Sequence, residues 1–416
     1  MALSRLRVAM ISAHSCPVGK LGTKDTGGMS VYIRELARGL AAHGHLVDVY
    51  TRVHDPEDRQ IYALSPNARL IHLRAGEDEE IHKLAVYSHL PDFACNLESF
   101  RKHNNLQYDL IFSHYWLSAL AGTYLQQWWH VPHMTMFHTL GAVKNAAKEQ
   151  AHLAPGEDEP ALRIETERGL AQQCHHIIAS TNREKEELIR YYSASSGKIT
   201  VVPCGVNLEQ FQALDKTQAR QYLGFGHDKI ILFVGRIDPL KGIDKLIKAL
   251  PYLRNIAGLR LVIIGGGEDS QREIEQLKKL AHDLKTQDAV TFAGLVKHHR
   301  LPYFYSAADV CVVPSYYESF GLVALESLAC GTPVVATDVG NHKSVIRQGE
   351  TGYLVADNAP QLLAEKIALL LSRPTADTKS ALLIRASVSK FSWSNIAEAI
   401  TKTCHMALAN YLATAC

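Results

Sequence analysis

Short, nearly unbroken apolar runs alternate with amphipathic stretches along the whole chain. In the first half the runs are LRVAMISA (6–13), LVDVYTR (46–52), ARLIHLRA (68–75), YDLIFSH (108–114), PHMTMFH (132–138), HHIIAST (175–181) and KITVVPCG (198–205). In the second half they are KIILFVGR (229–236), LRLVIIGG (259–266), AVTFAG (289–294), DVCVVPS (309–315) and PVVATD (333–338). Hydrophobicity that is continuous rather than alternating marks strands buried on both faces, as in parallel sheets covered by helices. Helical periodicity fills the gaps. SVYIRELARGLAAHG puts Val31, Leu36, Leu40 and Ala41 on one side and Arg34, Glu35 and Arg38 elsewhere. Strand–helix–strand repetition occurs twice over, which predicts an α/β protein with two doubly wound, Rossmann-like domains. The strandless, polar LEQFQALDKTQAR after VVPCGVN separates them. We place the first domain at 1–205 and the second at 206–389. A helix at about 390–416 has no strand after it and is expected to pack back on the first domain.

Composition narrows the function classes. The 416 residues are 47% hydrophobic and 21% charged, with a net charge of +2. That supports a full core and gives no electrostatic case for nucleic acid or a strongly anionic surface. No apolar run approaches the roughly 18 residues of a spanning helix. The start, MALSRLRVAMISAHS, lacks the layout of a secretory signal. Eight cysteines are scattered without a C-x-x-C pair, as expected of free thiols in a reducing cytoplasm. The 21 histidines show no metal-ligand spacing, so no metal site is predicted. Oligomeric state is left open.

In open parallel sheets ligands bind at the carboxyl ends of the strands. The first strand ends in HSCPVGKLGTKDTGGMSVY, with Gly19, Gly22, Gly27 and Gly28 and with Thr23 and Thr26 ahead of a helix. Glycines there let a ligand approach free amides at the positive end of the helix dipole. Neither this loop nor IIGGGEDS (263–270) matches G-x-G-x-x-G, so the dinucleotide fingerprint is absent. FVGRIDPLKG (233–242) ends a strand with Arg236 and, five residues on, Lys241, two cations suited to a diphosphate. SYYESFGLVALES (315–327) reads as a turn entering a helix. Ser319, Phe320, Gly321 and Leu322 would offer unpaired amides as an anion cradle. Glu318 and Glu326 stand eight residues apart, about 12 Å along a helix. One carboxylate could then accept from a hexose and the other from a ribose, with the diphosphate between them.

GR-(x4)-K together with ESFGLVALE resembles the retaining glycosyltransferases of family 4, which have the GT-B fold: two Rossmann-like domains facing across a cleft. The resemblance covers nearly the whole chain. It implies that Gly27 and Gly28 face the donor phosphates and the acceptor. It also implies that Arg236 and Lys241 hold the diphosphate, that Glu318 contacts the donor hexose and that Glu326 contacts the ribose. His138, in MFHTLGAVKN, matches a histidine near the donor sugar. Two branches acting on phosphorylated acceptors are most similar. VAMISAHS, DTGGMSVYI, SHYWLS and HTLGAVKN resemble the inositol-phosphate N-acetylglucosaminyltransferases of mycothiol synthesis. Gly141 in HTLGAVK and RIETE (163–167) resemble the sucrose-phosphate synthases. Ser30 departs from both. Residues similar to the acceptor phosphate site are Lys83, Tyr115, Thr139 and Arg163, and a monophosphate needs convergent cations.

The acceptor-side motifs place sucrose-phosphate synthesis first: glucose from UDP-glucose to fructose 6-phosphate, with retention. Transfer of N-acetylglucosamine to inositol 3-phosphate is the alternative, and a nucleotide-sugar epimerase is the alternative of another class. Catalysis is expected from His138, Arg236, Lys241 and Glu318. With no D-x-D motif, no obligatory metal and no cofactor beyond the UDP-sugar co-substrate is expected.

Overall fold

The computed structural model describes residues 4–19, 27–79, 81–152, 158–267, 270–373 and 378–415. Gly22, Thr23 and Thr26 of the first glycine-rich loop lie outside them. One sheet contains β1 (Arg7–Ile11), β2 (Leu46–Arg52), β3 (Ile61–Ser65), β4 (Ala68–Leu73), β5 (Leu110–His114), β6 (His133–Met136), β7 (His176–Ala179) and β8 (Ile199–Val201). Their order is β3-β4-β2-β1-β5-β6-β7-β8, all parallel except the β3–β4 pair. The second sheet contains β9 (Lys229–Val234), β10 (Leu259–Ile264), β11 (Val290–Gly294), β12 (Val310–Val313), β13 (Val334–Thr337) and β14 (Gly352–Val355). Its order is β11-β10-β9-β12-β13-β14, with every pairing parallel.

Each apolar run named above forms a strand. β3 and β14 went unread for physical reasons. β3 is an antiparallel edge with Ile61 and Tyr62 about half exposed, so it lacks the continuous apolar signature. β14 is four residues long and starts at Gly352, where a Cβ would sit 1.9 Å from the Val334 carbonyl oxygen.

The strand order reverses between β1 and β5 in one sheet and between β9 and β12 in the other. Loops leaving these strands diverge to opposite faces and open a crevice at each carboxyl edge. The two crevices face each other. The chain leaves the first sheet through an isolated bridge, Val206 to Ser392. Arg385 ties the connection down by donating to the carbonyls of Leu208 and Ala329, each at 2.6 Å, and to that of Phe211.

The final helix, Trp393–Ala415, packs on the first domain. Its Ala397 lies so near Gly39 that a Cβ there would come within 2.9 Å, and its Thr401 hydroxyl meets His45 Nε2 at 3.1 Å. Glu35, assigned by periodicity to the polar face of the first helix, is buried. It takes a hydrogen bond from Asn207 of the connecting segment at 3.0 Å and pairs with Arg34 and Arg38. No helix among the described residues is long and apolar enough to cross a membrane.

Candidate active site

A cavity of about 370 Å³ lies between the domains, lined from both sides by the loops at the strand ends. On the second-domain wall β9 leads through Arg236 into a tight turn, Pro239–Lys241. The turn closes on Gly242, at φ +66°, where a Cβ would fall 2.1 Å from the Pro314 carbonyl oxygen. Only glycine permits that approach, and the approach brings Lys241 to Glu318. Lys241 Nζ meets Glu318 Oε1 at 2.7 Å, and Ser315 Oγ donates to the same oxygen at 2.9 Å. Burial opposes ionisation of Glu318, but Lys241, His342 and the Ser315 hydroxyl together outweigh it and hold the carboxyl below its ordinary value. Arg236 is 44% exposed at its side chain and reaches into the cleft, with Asp238 3.9 Å away.

The helix after the Glu318 turn begins at Leu322, not at Glu318. The two glutamates therefore do not stand on one helical ladder, and the 12 Å estimate does not apply. Gly321, the N-cap, sits at φ +100° over His342, whose Nε2 would be 2.4 Å from a Cβ. Ser319, Gly321 and Leu322 line the cavity. Phe320 lines it too, though its side chain is buried and packed edge-on against Phe391 at 6.5 Å. Glu326 is buried about one turn into that helix. It accepts from the Tyr305 hydroxyl at 2.9 Å and from His298 Nε2 at 3.2 Å. His298 Nδ1 faces the Gln210 amide nitrogen at 2.9 Å, so the ring's proton sits on Nε2, toward the carboxylate. His298 and Tyr305 were not singled out in the sequence. A histidine in HHRL carries no signal until the fold sets it against Glu326.

The first-domain wall offers Gly27 and Gly28, Lys83, Tyr115, His138 and Thr139, with His14 and Lys144 beside them. Gly28 faces the other domain, where Leu322 Cδ1 lies 3.3 Å from the position of a Cβ. Three cations converge on one carboxylate. Glu159 pairs with Arg163 at 2.7 Å, with Lys83 at 3.8 Å and, more closely, with Lys144. Burial raises its pKa, but Arg163, Lys144 and Lys83 overcome this and hold it at about 2. Glu159 and Lys144 were not singled out: Glu159 lies in the stretch PGEDEP, just ahead of a helix, and Lys144 passed as the last residue of HTLGAVK.

Arg163 is placed differently from Lys83. It is 1% exposed and does not line the cavity. Its guanidinium is spent on Glu159, on Glu167 at 2.7 Å and on the Thr139 carbonyl and hydroxyl at 2.8 and 3.0 Å, and it stacks on Tyr115 at 4.8 Å. The structure thus brings Lys83, Tyr115 and Thr139 to the cleft and holds Arg163 behind them. Gly141 and RIETE form the same internal unit. Gly141 N–H and the Tyr192 hydroxyl donate to Glu167 at 2.9 and 2.6 Å, and a Cβ at Gly141 would crowd Ile164, Arg163 and Glu167. These residues fix the position of Arg163 and Thr139 and touch no ligand space.

His138 is the middle residue of a tight turn at φ +60°, with Thr139 N–H donating to the Phe137 carbonyl at 2.7 Å. Positive φ in a non-glycine residue costs of order 1–3 kcal/mol and persists where the surroundings enforce it. Tyr32 packs edge-on to its ring at 5.1 Å. Burial pushes its pKa down to about 3. Among the described residues no three His, Cys, Asp or Glu side chains gather as a metal ligand set.

Residues 26–210 match the profile described as Glycosyltransferase Family 4, and residues 215–385 match that of Glycosyl transferases group 1. The chain belongs to this glycosyltransferase family. It is a nucleotide-sugar-dependent glycosyltransferase with the GT-B architecture. It is 38% identical over 403 residues to the D-inositol 3-phosphate glycosyltransferase of Xylanimonas cellulosilytica, covering 95% of each chain. It is 40% identical over 415 residues to that of Acidothermus cellulolyticus, covering 97% of this chain and 91% of the relative. Among solved structures, the sucrose-phosphate synthase of Thermosynechococcus elongatus superposes with a TM-score of 0.87 at 34% identity, covering 98% of this chain and all of that one.

Proposed function

We propose that this glycosyltransferase moves a hexosyl unit from a UDP-sugar to a phosphorylated polyol or sugar, with retention, and that the acceptor is inositol 3-phosphate and the donor UDP-N-acetylglucosamine. The observation that carries the reading is a division of charge across one cleft. Arg236 and Lys241 stand on one wall, and Lys83 and Lys144 on the other. A diphosphate and a monophosphate each need such a cluster.

In this reading Arg236, Lys241 and the amides of the 319–322 turn meet the charge that grows as the bond from the anomeric carbon to the diphosphate breaks. The acceptor hydroxyl forms the new bond on the same face and gives its proton to the departing diphosphate oxygen. Glu318 takes hexose hydroxyls and Glu326 ribose hydroxyls. Lys83 and Lys144 hold the acceptor phosphate beside Tyr115 and Thr139. Diphosphate charge is met by side chains and amides, so transfer is expected to survive EDTA.

The choice of acceptor shifts from the order read in the sequence. Gly141 and RIETE argued for fructose 6-phosphate, but both are spent on internal support and report the acceptor only indirectly. The inositol-phosphate relatives are also 38–40% identical over nearly the full chain. Sucrose-phosphate synthesis from UDP-glucose remains the second reading, supported by the 0.87 TM-score and 34% identity of that neighbour. UDP release is to be measured for both donors with each acceptor. Release that needs inositol 3-phosphate and UDP-N-acetylglucosamine supports the first reading, and release that needs fructose 6-phosphate and UDP-glucose supports the second. Conversion of the donor with no acceptor present would favour an epimerase.

A further inference from the structure

Behind His138 lies a second histidine that nothing above uses. His114, the last residue of β5, is buried, and its Nδ1 lies 2.9 Å from His138 Nε2. Its other nitrogen, Nε2, is buried without a hydrogen-bond partner among the described residues. The rings around it are aromatic: Phe112 at 4.4 Å and Tyr32 at 5.8 Å between centroids. Each neutral imidazole carries one proton. If His138 Nε2–H donated, the proton of His114 would have to sit on its own Nε2, an orphaned buried N–H. Orphaned donors are the rarest fault in folded proteins, and a bare acceptor is tolerated better.

We infer that His114 is a positioning residue. It donates Nδ1–H to His138 Nε2, so the single proton of His138 stands on Nδ1, the nitrogen not engaged by His114. His138, in the lining of the cleft, then presents a hydrogen-bond donor to its ligand and not a lone pair. Both rings stay neutral, since burial drives their pKa values well down. The donor suits an oxygen that lacks a proton to share or a carbonyl, such as an amide oxygen on a donor hexose. The strained turn at His138 aims the ring and His114 sets what it offers. This inference rests on the glycosyl-transfer reading for its consequence but not for its test.

The test is a long-range ¹H–¹⁵N spectrum of the full chain with ¹⁵N-labelled histidine, taken without substrate, the His138 signals assigned by their loss in His138→Gln. The expected result is a protonated Nδ1 and bare Nε2 for His138, and the same for His114. A protonated Nε2 on His138 overturns the inference, whatever the enzyme turns over. In His114→Phe the tautomer should redistribute and kcat fall by about 10- to 100-fold, the scale of loss seen when the partner orienting a metal-bound histidine is removed. His114→Asn, which keeps an N–H near the Nδ1 position, should restore most of that turnover. Equal loss in both variants with the tautomer unchanged overturns the inference. The spectrum of the unaltered chain decides the matter if His114→Phe does not fold. A correct tautomer in a protein that transfers no hexose would count against the function and leave His114 in its role.

Discussion

Lys241 is asked to do two things, and they can be separated. It neutralises Glu318 at 2.7 Å in the free protein, and it meets the diphosphate in the reaction. The side chains are 19% and 15% exposed. Removing one partner of a buried ion pair costs about 3–5 kcal/mol, and this residual exposure brings the figure for Lys241→Met to about 2–3 kcal/mol. For a domain of this size that is a fall in melting temperature of roughly 4–12 °C. Glu318→Gln added to Lys241→Met removes the stranded carboxylate, and the melting temperature should recover by more than half. Turnover should not recover. Loss of a preorganised charge stabiliser costs about 10²–10³ in kcat, and the double variant keeps that loss. Differential scanning fluorimetry and initial-rate UDP release on the two single variants and the double variant give the whole cycle. Turnover within about threefold of the unaltered enzyme in Lys241→Met, or turnover regained in the double variant, would refute the assignment of Lys241 to the diphosphate.

Lys83→Ala and Lys144→Ala should each raise the acceptor KM by about 10- to 100-fold, a charge-assisted hydrogen bond apiece, and leave the donor KM within about threefold. Equal damage to both constants in initial-rate kinetics would remove them from the acceptor site. Glu326→Gln should raise the KM for the UDP-sugar more than it lowers kcat, because the ribose is remote from the reacting bond. Gly242→Ala should destabilise the protein by more than about 2 kcal/mol in urea titration, since φ is +66° and the Pro314 carbonyl oxygen occupies the Cβ position. Acid should unfold the protein early. Burial holds His133 and His138 at about 3 and His176 at about 4, against an ordinary value of 6.5. The unfolded chain binds more protons than the folded one between those values. These rings therefore withdraw stability as pH falls below about 6.5, by about 1.4 kcal/mol per unit each, while Glu184, held up at about 7 by burial, opposes one of them over much of the same range. Melting temperatures measured from pH 8 to 4.5 check the slope.

Much of this molecule was legible before the fold was known. The buried strands announced themselves because parallel strands are apolar on both faces, and the second-domain lining of the cleft was marked by short local patterns: Arg236 with Lys241, and Glu318 with Glu326. What stayed hidden depends on contacts distant in sequence. Glu159 becomes the hub of three cations only when the short helix that starts at Lys83 and the helix of Lys144 meet it. His298 finds Glu326 across 28 residues, and Gln210 fixes its tautomer across 88. Arg163 and Gly141 were read as acceptor reporters because their motif is compact. The fold shows the motif turned inward, with Glu167 at its centre. Local patterns singled out polar residues at strand ends; burial decided which of them line the cleft.

In the proposed reading, the first-domain wall of the cleft is built for a monophosphate on the acceptor. The direct measurement is UDP release from UDP-N-acetylglucosamine with inositol 3-phosphate and with inositol, at equal concentrations. Release should be at least about 10²-fold faster with the phosphorylated acceptor, since inositol forgoes two charge-assisted contacts. Equal rates with both acceptors would contradict it.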